Sequence, residues 1–255
     1  MHWDKVYQPF LKPRFADDEL PNTTLASLIA LADKLDTLVG FFALNKQPTG
    51  EKDPYGCRRL ALAIIRLLEQ PNLCCPLAPL VDTASGQLPF TAPSDTAKHV
   101  LHFLSDRLSH RYPKKRALLL AVRFSWQQPL QQQISQTEEL ETFISPREGS
   151  AFLAAFKRVH ALTTKHPSTQ PLQKALCQHP AEKGCLHALA TLSPQPSLSQ
   201  HLTELNTLFQ PINQLLDEVM ILDPDHQLRE NRLALLAKIY HQVTQQIDFS
   251  HCLAH

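Results

Sequence analysis

Apolar residues recur at helical spacing along almost the whole chain. Leu25, Leu28, Ile29, Ala32, Leu35, Val39 and Phe42 fall on one stripe and predict a helix from about Asn22 to Ala43. Asp53-Pro54 reads as an N-cap followed by proline at the first helical position. The helix it opens carries Leu60, Ala61, Ile64 and Leu68 and stops before Pro71. Between 71 and 95 stand Pro71, Pro76, Pro79, Pro89 and Pro93, which predict a linker or an irregular excursion. A second helical block begins near Asp95 with Val100, Leu101, Phe103, Leu104 and Leu108, and Pro113 ends it. Residues 127–136 are rich in glutamine and read as a polar loop. Ser145-Pro146-Arg147-Glu148 has the form of a capping box, opening a helix that buries Phe152, Ala155, Phe156, Val159 and Leu162. Pro180 and the Ser193 to Pro196 run mark further breaks. Leu202, Leu205, Leu208 and Phe209 start another helix, which Pro211 kinks or restarts before Ile212, Leu215, Leu216, Val219 and Met220 continue the stripe. Asp223-Pro224 repeats the cap-and-proline device for a last helix to about Ile247. No strand-like alternation appears, so the expected fold class is all-α.

Composition narrows the function classes. The 255 residues are 43% hydrophobic, enough for a real core, and 19% charged. Lys and Arg total 25 against 24 Asp and Glu, so no global field draws the chain to nucleic acid or membrane. The six glycines form neither a dinucleotide-binding fingerprint nor a P-loop. Six cysteines, two of them vicinal at Cys74-Cys75, do not resemble a disulfide framework. Met1 to Lys5 is charged where a signal peptide is apolar, and the apolar runs Leu25 to Ala32 and Ala117 to Val122 are too short to span a bilayer. A cytoplasmic protein, with no membrane and no DNA partner, is expected.

Three segments carry a resemblance to a known family. The first is Pro13-Arg14-Phe15-Ala16-Asp17-Asp18-Glu19-Leu20-Pro21, followed by Ala30 to Gly40 (ALADKLDTLVG) and Pro48 to Arg59, which contains PTGEKDP. The second is Ala155-Phe156-Lys157-Arg158-Val159, and the third runs from Asp217 to Met220 and from Leu228 to Leu236 (LRENRLALL). Together they resemble the β subunit of the bacterial tetrameric glycyl-tRNA synthetase. The departures are local: Asp17 stands where the family has glycine, and Tyr55-Gly56-Cys57 where it has Phe-Ala-Leu.

The resemblance implies the C-terminal portion of that subunit. Residues 1–70 would end an HD-like helical domain, 71–95 would be a proline-rich linker, 96–145 connecting helices, and 146–255 a DALR-type anticodon-binding bundle. It further implies that the chain lacks the preceding β-subunit domains. The expected partners are those domains, the α subunit and the tRNA for glycine. ATP and Mg would be used by the whole enzyme and bound elsewhere, leaving this chain no cofactor and no catalytic residue. The alternatives are a non-catalytic helical scaffold or truncated pseudo-subunit, and a residual HD-type hydrolase.

Candidate contacts follow from residue type and resemblance. Lys157, Arg158, Arg229, Asn231 and Arg232 lie in the matching segments, and such side chains suit an anticodon stem-loop. On that reading, loss of Arg232 weakens tRNA binding about tenfold. Residues 200–255 nonetheless hold three basic residues against seven acidic ones, so binding by this part alone is expected to be weak and salt-sensitive. Lys52, Arg58, Arg59 and Arg66 cluster at one helix start, either as a phosphate site with the free backbone N–H groups or as a solvated, ion-paired face. His110-Arg111-Tyr112-Pro113-Lys114-Lys115-Arg116 is the sharpest local positive charge, with a tyrosine able to stack on a base. Asp33 and Asp36 would need a His-Asp pair to complete an HD-type metal centre, and the sequence has none. Asp36 is instead expected to bond to Arg58 or Arg59. The histidines are scattered over different helices, so no metal site is expected.

Overall fold

A computed structural model describes residues 12–15, 17–194 and 196–253. The readings of Met1 to Lys5 and of Ala16 lie outside them. Ten α-helices carry the described fold, with no strand among the described residues. The chain divides into two units, Met1–Arg116 with Ser125–Ser135, and Ala117–Phe124 with Gln136–His255. The stretch 71–95, expected as a linker, therefore lies inside the first unit.

In the first unit, Thr23 caps α1 (Thr24–Ala43) by accepting a hydrogen bond from Ala26 N. Helix α1 packs on α2 (Cys57–Leu68), α3 (Leu77–Gly86) and α4 (Thr96–Arg111). Leu31, Leu35, Leu38, Val39 and Phe42 are buried, with Phe42 meeting the Phe103 ring at 5.2 Å between centroids. The predicted stripe is thus split. Leu25, Leu28 and Ile29 project from the other side of α1 and are exposed.

Helix α3 corrects the expected irregular excursion. Pro76 precedes it and Pro79 stands in its first turn, where a missing N–H costs no helical bond. Leu77, Ala78 and Val81 are buried, so tertiary burial outweighs the proline signal. The glutamine-rich stretch is also ordered, opening α6 (Leu130–Ile144). Gln133, 1% exposed, donates through Nε2 to Ser125 O at 2.7 Å and accepts from Ser125 N at 2.6 Å. Glutamine is a good helix former, and here its amides replace missing backbone partners. Trp126 completes the region by donating from Nε1 to Ser105 Oγ at 2.8 Å.

The second unit assembles α5 from Ala117 onward (the helix spans Arg116–Ala121), the end of α6, and α7 (Arg147–Lys165), α8 (Pro180–Ala190), α9 (Leu198–Glu218) and α10 (His226–Val243). Phe143, Phe152, Phe156, Tyr240 and Phe249 form an aromatic cluster, with Phe152 and Phe249 edge-on at 5.3 Å. The predicted capping box at Ser145 does not form: Ser145 Oγ donates back to Glu141 O at 2.6 Å, and α7 starts after Pro146. A capping box sits instead on α8, where Glu182 Oε2 accepts from His179 N and His179 Nδ1 accepts from Ala181 N. Pro180, expected as a break, is the first residue of that helix. Helix α9 runs unbroken through Pro211. Asp225, two residues beyond the expected cap, closes the start of α10 by accepting from Gln227 N and Leu228 N.

Candidate nucleic-acid interface

In the first unit the loop before α2 already carries an anion. Thr49 and Lys52 pair their backbones across a tight turn, with Gly50 in the left-handed region at φ 54°. The turn delivers Asp53 to the start of α2. There its carboxylate accepts from Cys57 N at 2.8 Å and Arg58 N at 2.9 Å. These are first-turn N–H groups, so the phosphate reading of this helix start meets a carboxylate in place. Arg58 does not reach Asp36, which is exposed; its guanidinium donates to the carbonyls of Gly50 and Glu51. Arg66 donates to Phe15 O and to Asp18 O, the latter at 2.7 Å, and so ties the Pro13 to Pro21 segment to α2. Within that segment Asp18 accepts from Arg14 Nε at 3.0 Å, and this bond holds its carboxyl down at about 2. Lys52 and Arg59 remain exposed to solvent.

The basic segment after α4 is partly neutralised. Arg111 grips Glu69 through two hydrogen bonds, Nε to Oε1 at 2.5 Å and Nη2 to Oε2 at 2.6 Å. The Tyr112 hydroxyl donates to the same carboxylate at 2.8 Å. Burial and the Glu69 charge push the Tyr112 phenol up to about 12. The tyrosine expected to stack on a base is thus committed to an internal carboxylate. Lys114 and Arg116 stay exposed, and Lys115 is half-buried.

In the second unit the expected recognition side chains separate by environment. Asn231 is 5% exposed: its Oδ1 accepts from Gln173 N at 2.8 Å, and Nδ2 approaches Cys177 Sγ at 3.5 Å. Both ends of the amide are used to hold the loop before α8. Arg232 donates from Nε to Glu182 Oε1 at 2.8 Å, and from Nη1 to Asp223 Oδ2 at 2.5 Å and Met220 O at 2.9 Å. Burial opposes its charge, but the hydrogen bonds to Glu182 and Asp223 outweigh burial and raise its pKa. Arg229 reaches Asp223 O at 3.3 Å. Arg158 pairs with Asp217 Oδ1 at 2.7 Å and donates to Leu216 O at 2.8 Å, near the end of α9. That position places a cation at the negative end of a helix. Lys157 is exposed beside it in sequence.

The acceptors Glu69 and Glu182 have no counterpart in the sequence reading, whereas Asp53 caps α2 as expected, although the helix starts at Cys57 and not at Pro54. Glu182 did carry a signal, three residues after His179 and two after a proline. Among the described residues no group of three or more His, Cys, Asp or Glu is gathered closely enough to hold a metal ion. The described cysteines are free thiols, and burial pushes Cys185 up to about 12 and Cys57 to about 11. Neither is a poised nucleophile. No helix among the described residues is long and apolar enough to cross a membrane.

Comparison with known proteins gives a consistent answer. Residues 6–123 match the family model described as glycyl-tRNA synthetase beta subunit. The chain is 34% identical over 256 residues to the glycine–tRNA ligase beta subunit of Methylobacillus flagellatus, covering 95% of this chain and 36% of that protein. It is 35% identical to the corresponding protein of Janthinobacterium sp., over 94% of this chain and 36% of that one. For Coxiella burnetii the identity is 31%, over 93% of this chain and 37% of that protein. The chain thus spans a little over a third of the length of the relatives it matches.

Proposed function

The chain belongs to the family of glycyl-tRNA synthetase β subunits, and from that membership we propose that it is a tRNA-binding portion of a glycine–tRNA ligase. The observation that carries this reading is 34% identity sustained across 95% of the chain, well beyond the residues matched by the family model. The second unit would act as a DALR-type anticodon-binding bundle and the first as the end of an HD-like domain. Lys157 on α7 is exposed and would reach phosphate, as would Arg158 and Arg229 once their internal bonds are exchanged. Asn231 and Arg232 would serve by shaping the bundle. In the first unit Lys52, Arg59, Lys114 and Arg116 offer exposed positive charge.

Glycine activation belongs, on this reading, to the α subunit and the rest of the β subunit, where ATP and Mg would bind. No chemical step is assigned to residues of this chain. Its work would be to orient the tRNA, which lowers the entropic cost of presenting the tRNA end to a distant site.

The test is binding of the purified chain to the tRNA for glycine and to one non-cognate tRNA over a salt series. The reading expects cognate preference that disappears when the anticodon is changed. Equal and steeply salt-dependent binding to both would reduce the site to a basic patch. A non-catalytic helical scaffold is the second reading, favoured by the internal pairing of Arg111, Arg158 and Arg232. It expects no tRNA binding at low salt and none in the presence of the α subunit.

A further inference from the structure

Helix α1 has two apolar faces, and its own unit covers one of them. Leu25, Leu28 and Ile29 are 66%, 46% and 42% exposed, three large aliphatic side chains on one side of two successive turns. A helix whose outer side faces only water normally carries polar groups there. Leu28 continues into a groove of about 490 Å³ between α1 and α3, walled by Leu31, Leu35, Leu80 and Ala84. Asp33 and Asp36 are exposed at the same groove, and Asp36 forms no ion pair among the described residues.

An apolar groove between two helices with carboxylates at its side matches one kind of occupant. An amphipathic helix fills it with apolar residues at i, i+3 or i+4 and i+7, and sets lysine or arginine against the carboxylates. A second copy of this chain fits poorly, because a two-fold contact pairs this face with itself and the groove lining holds two aspartates and no lysine or arginine. The relatives supply another source: close to two thirds of their length has no counterpart in this chain. We propose that the α1–α3 groove seats an amphipathic helix with a basic flank, contributed by the part of a β-subunit polypeptide that this chain does not contain. The proposal rests on the reading that the chain works within a glycine–tRNA ligase.

The experiment uses the purified full chain. It is titrated calorimetrically with the portion of the Methylobacillus flagellatus β subunit that lies outside its match to this chain. A one-to-one complex is expected, weakened at least about tenfold by Leu28→Lys and about fivefold by Asp36→Lys, and weakened by added salt. Leu28 and Asp36 are exposed, so both variants are expected to melt as the parent does. Absence of binding by the parent chain, or equal binding by Leu28→Lys, overturns the proposal. So does a dimer of this chain that Leu28→Lys dissociates, since the occupant is then a second copy. Glycine attachment is assayed in parallel after adding the α subunit. A complex sensitive to Leu28→Lys that attaches no glycine keeps the groove and removes the ligase reading. Glycine attachment unaffected by Leu28→Lys keeps the ligase reading and removes the groove.

Discussion

Arg232 Nε donates to Glu182 Oε1 at 2.8 Å, and the carboxylate that receives it is 2% exposed. Removing the guanidinium strands a buried negative charge, a change that costs about 3–5 kcal/mol in proteins generally. Arg232→Ala is therefore expected to destabilise the second unit by about 3 kcal/mol, read by urea denaturation. This revises the meaning of a weakened tRNA complex in that variant, which would report unfolding before it reported recognition. A variant as stable as the parent that lost tRNA binding would restore Arg232 to the RNA.

Lys157 and Arg158 give a cleaner reading. Arg158 and Asp217 are 48% and 63% exposed, and an ion pair this exposed contributes under about 1 kcal/mol. Lys157→Ala and Arg158→Ala are both expected to keep the parent's melting temperature. On the proposed function, each weakens binding to the tRNA for glycine about three- to tenfold. Each also lowers the slope of log affinity against log salt by about one for every phosphate left without its cation. Unchanged affinity and slope in both variants would remove α7 from the interface.

His201 makes stability depend on pH. It is 1% exposed, its Nε2 lies 3.2 Å from Val243 O, and burial lowers its pKa from the usual 6.5. With a depressed folded-state pKa, the unfolded chain binds a proton near pH 6.5 before the folded chain does. The contribution of His201 is thus complete above pH 6.5 and lost as pH falls below it, toward the folded value. The melting temperature is expected to drop between pH 7.5 and pH 5.5. His201→Gln, which retains an N–H donor without titrating, should reduce that drop; an unaltered pH profile would contradict the assignment.

Two helical glycines should respond oppositely to the same change. A Cβ on Gly149 would lie 2.1 Å from Phe143 O and 2.6 Å from Ile144 Cα, backbone atoms that cannot swing aside. Gly149→Ala is expected to cost on the order of 3 kcal/mol, because α7 could no longer approach the end of α6. A Cβ on Gly184, inside α8, meets nothing within 4 Å. Gly184→Ala should stabilise by about 0.5–1 kcal/mol through the lower entropy of the unfolded chain. Thermal melts of the two variants check both signs together.

The helical period was legible in the sequence, and so was the family. The misreadings came from composition. Five prolines hid α3, because proline in a first turn does not oppose a helix that burial supports. The glutamines of the α6 start have the polarity of a loop, but Gln133 commits its amide to the backbone of Ser125, a partner that composition does not reveal. The candidate interface was less legible, for a reason of sequence distance. Arg111 meets Glu69 across 42 positions and Arg232 meets Glu182 across 50. A cation seen along a sequence looks available for RNA, and only the fold reveals a carboxylate at its end. Leu25, Leu28 and Ile29 mislead in the opposite direction, since periodicity counts apolar residues without saying which neighbour covers them.

The carboxylate of Asp53 on the first turn of α2 has a kinetic and competitive meaning. It is an anion tethered four residues from the amide it serves, so its effective concentration at those N–H groups is in the millimolar range or above. A phosphate arriving there faces an exchange with a ligand that never diffuses away. The same turn that resembles an anion site in sequence is thus self-inhibited in structure. It leaves Lys52 and Arg59 exposed while the Cys57 and Arg58 N–H groups stay engaged by its own carboxylate.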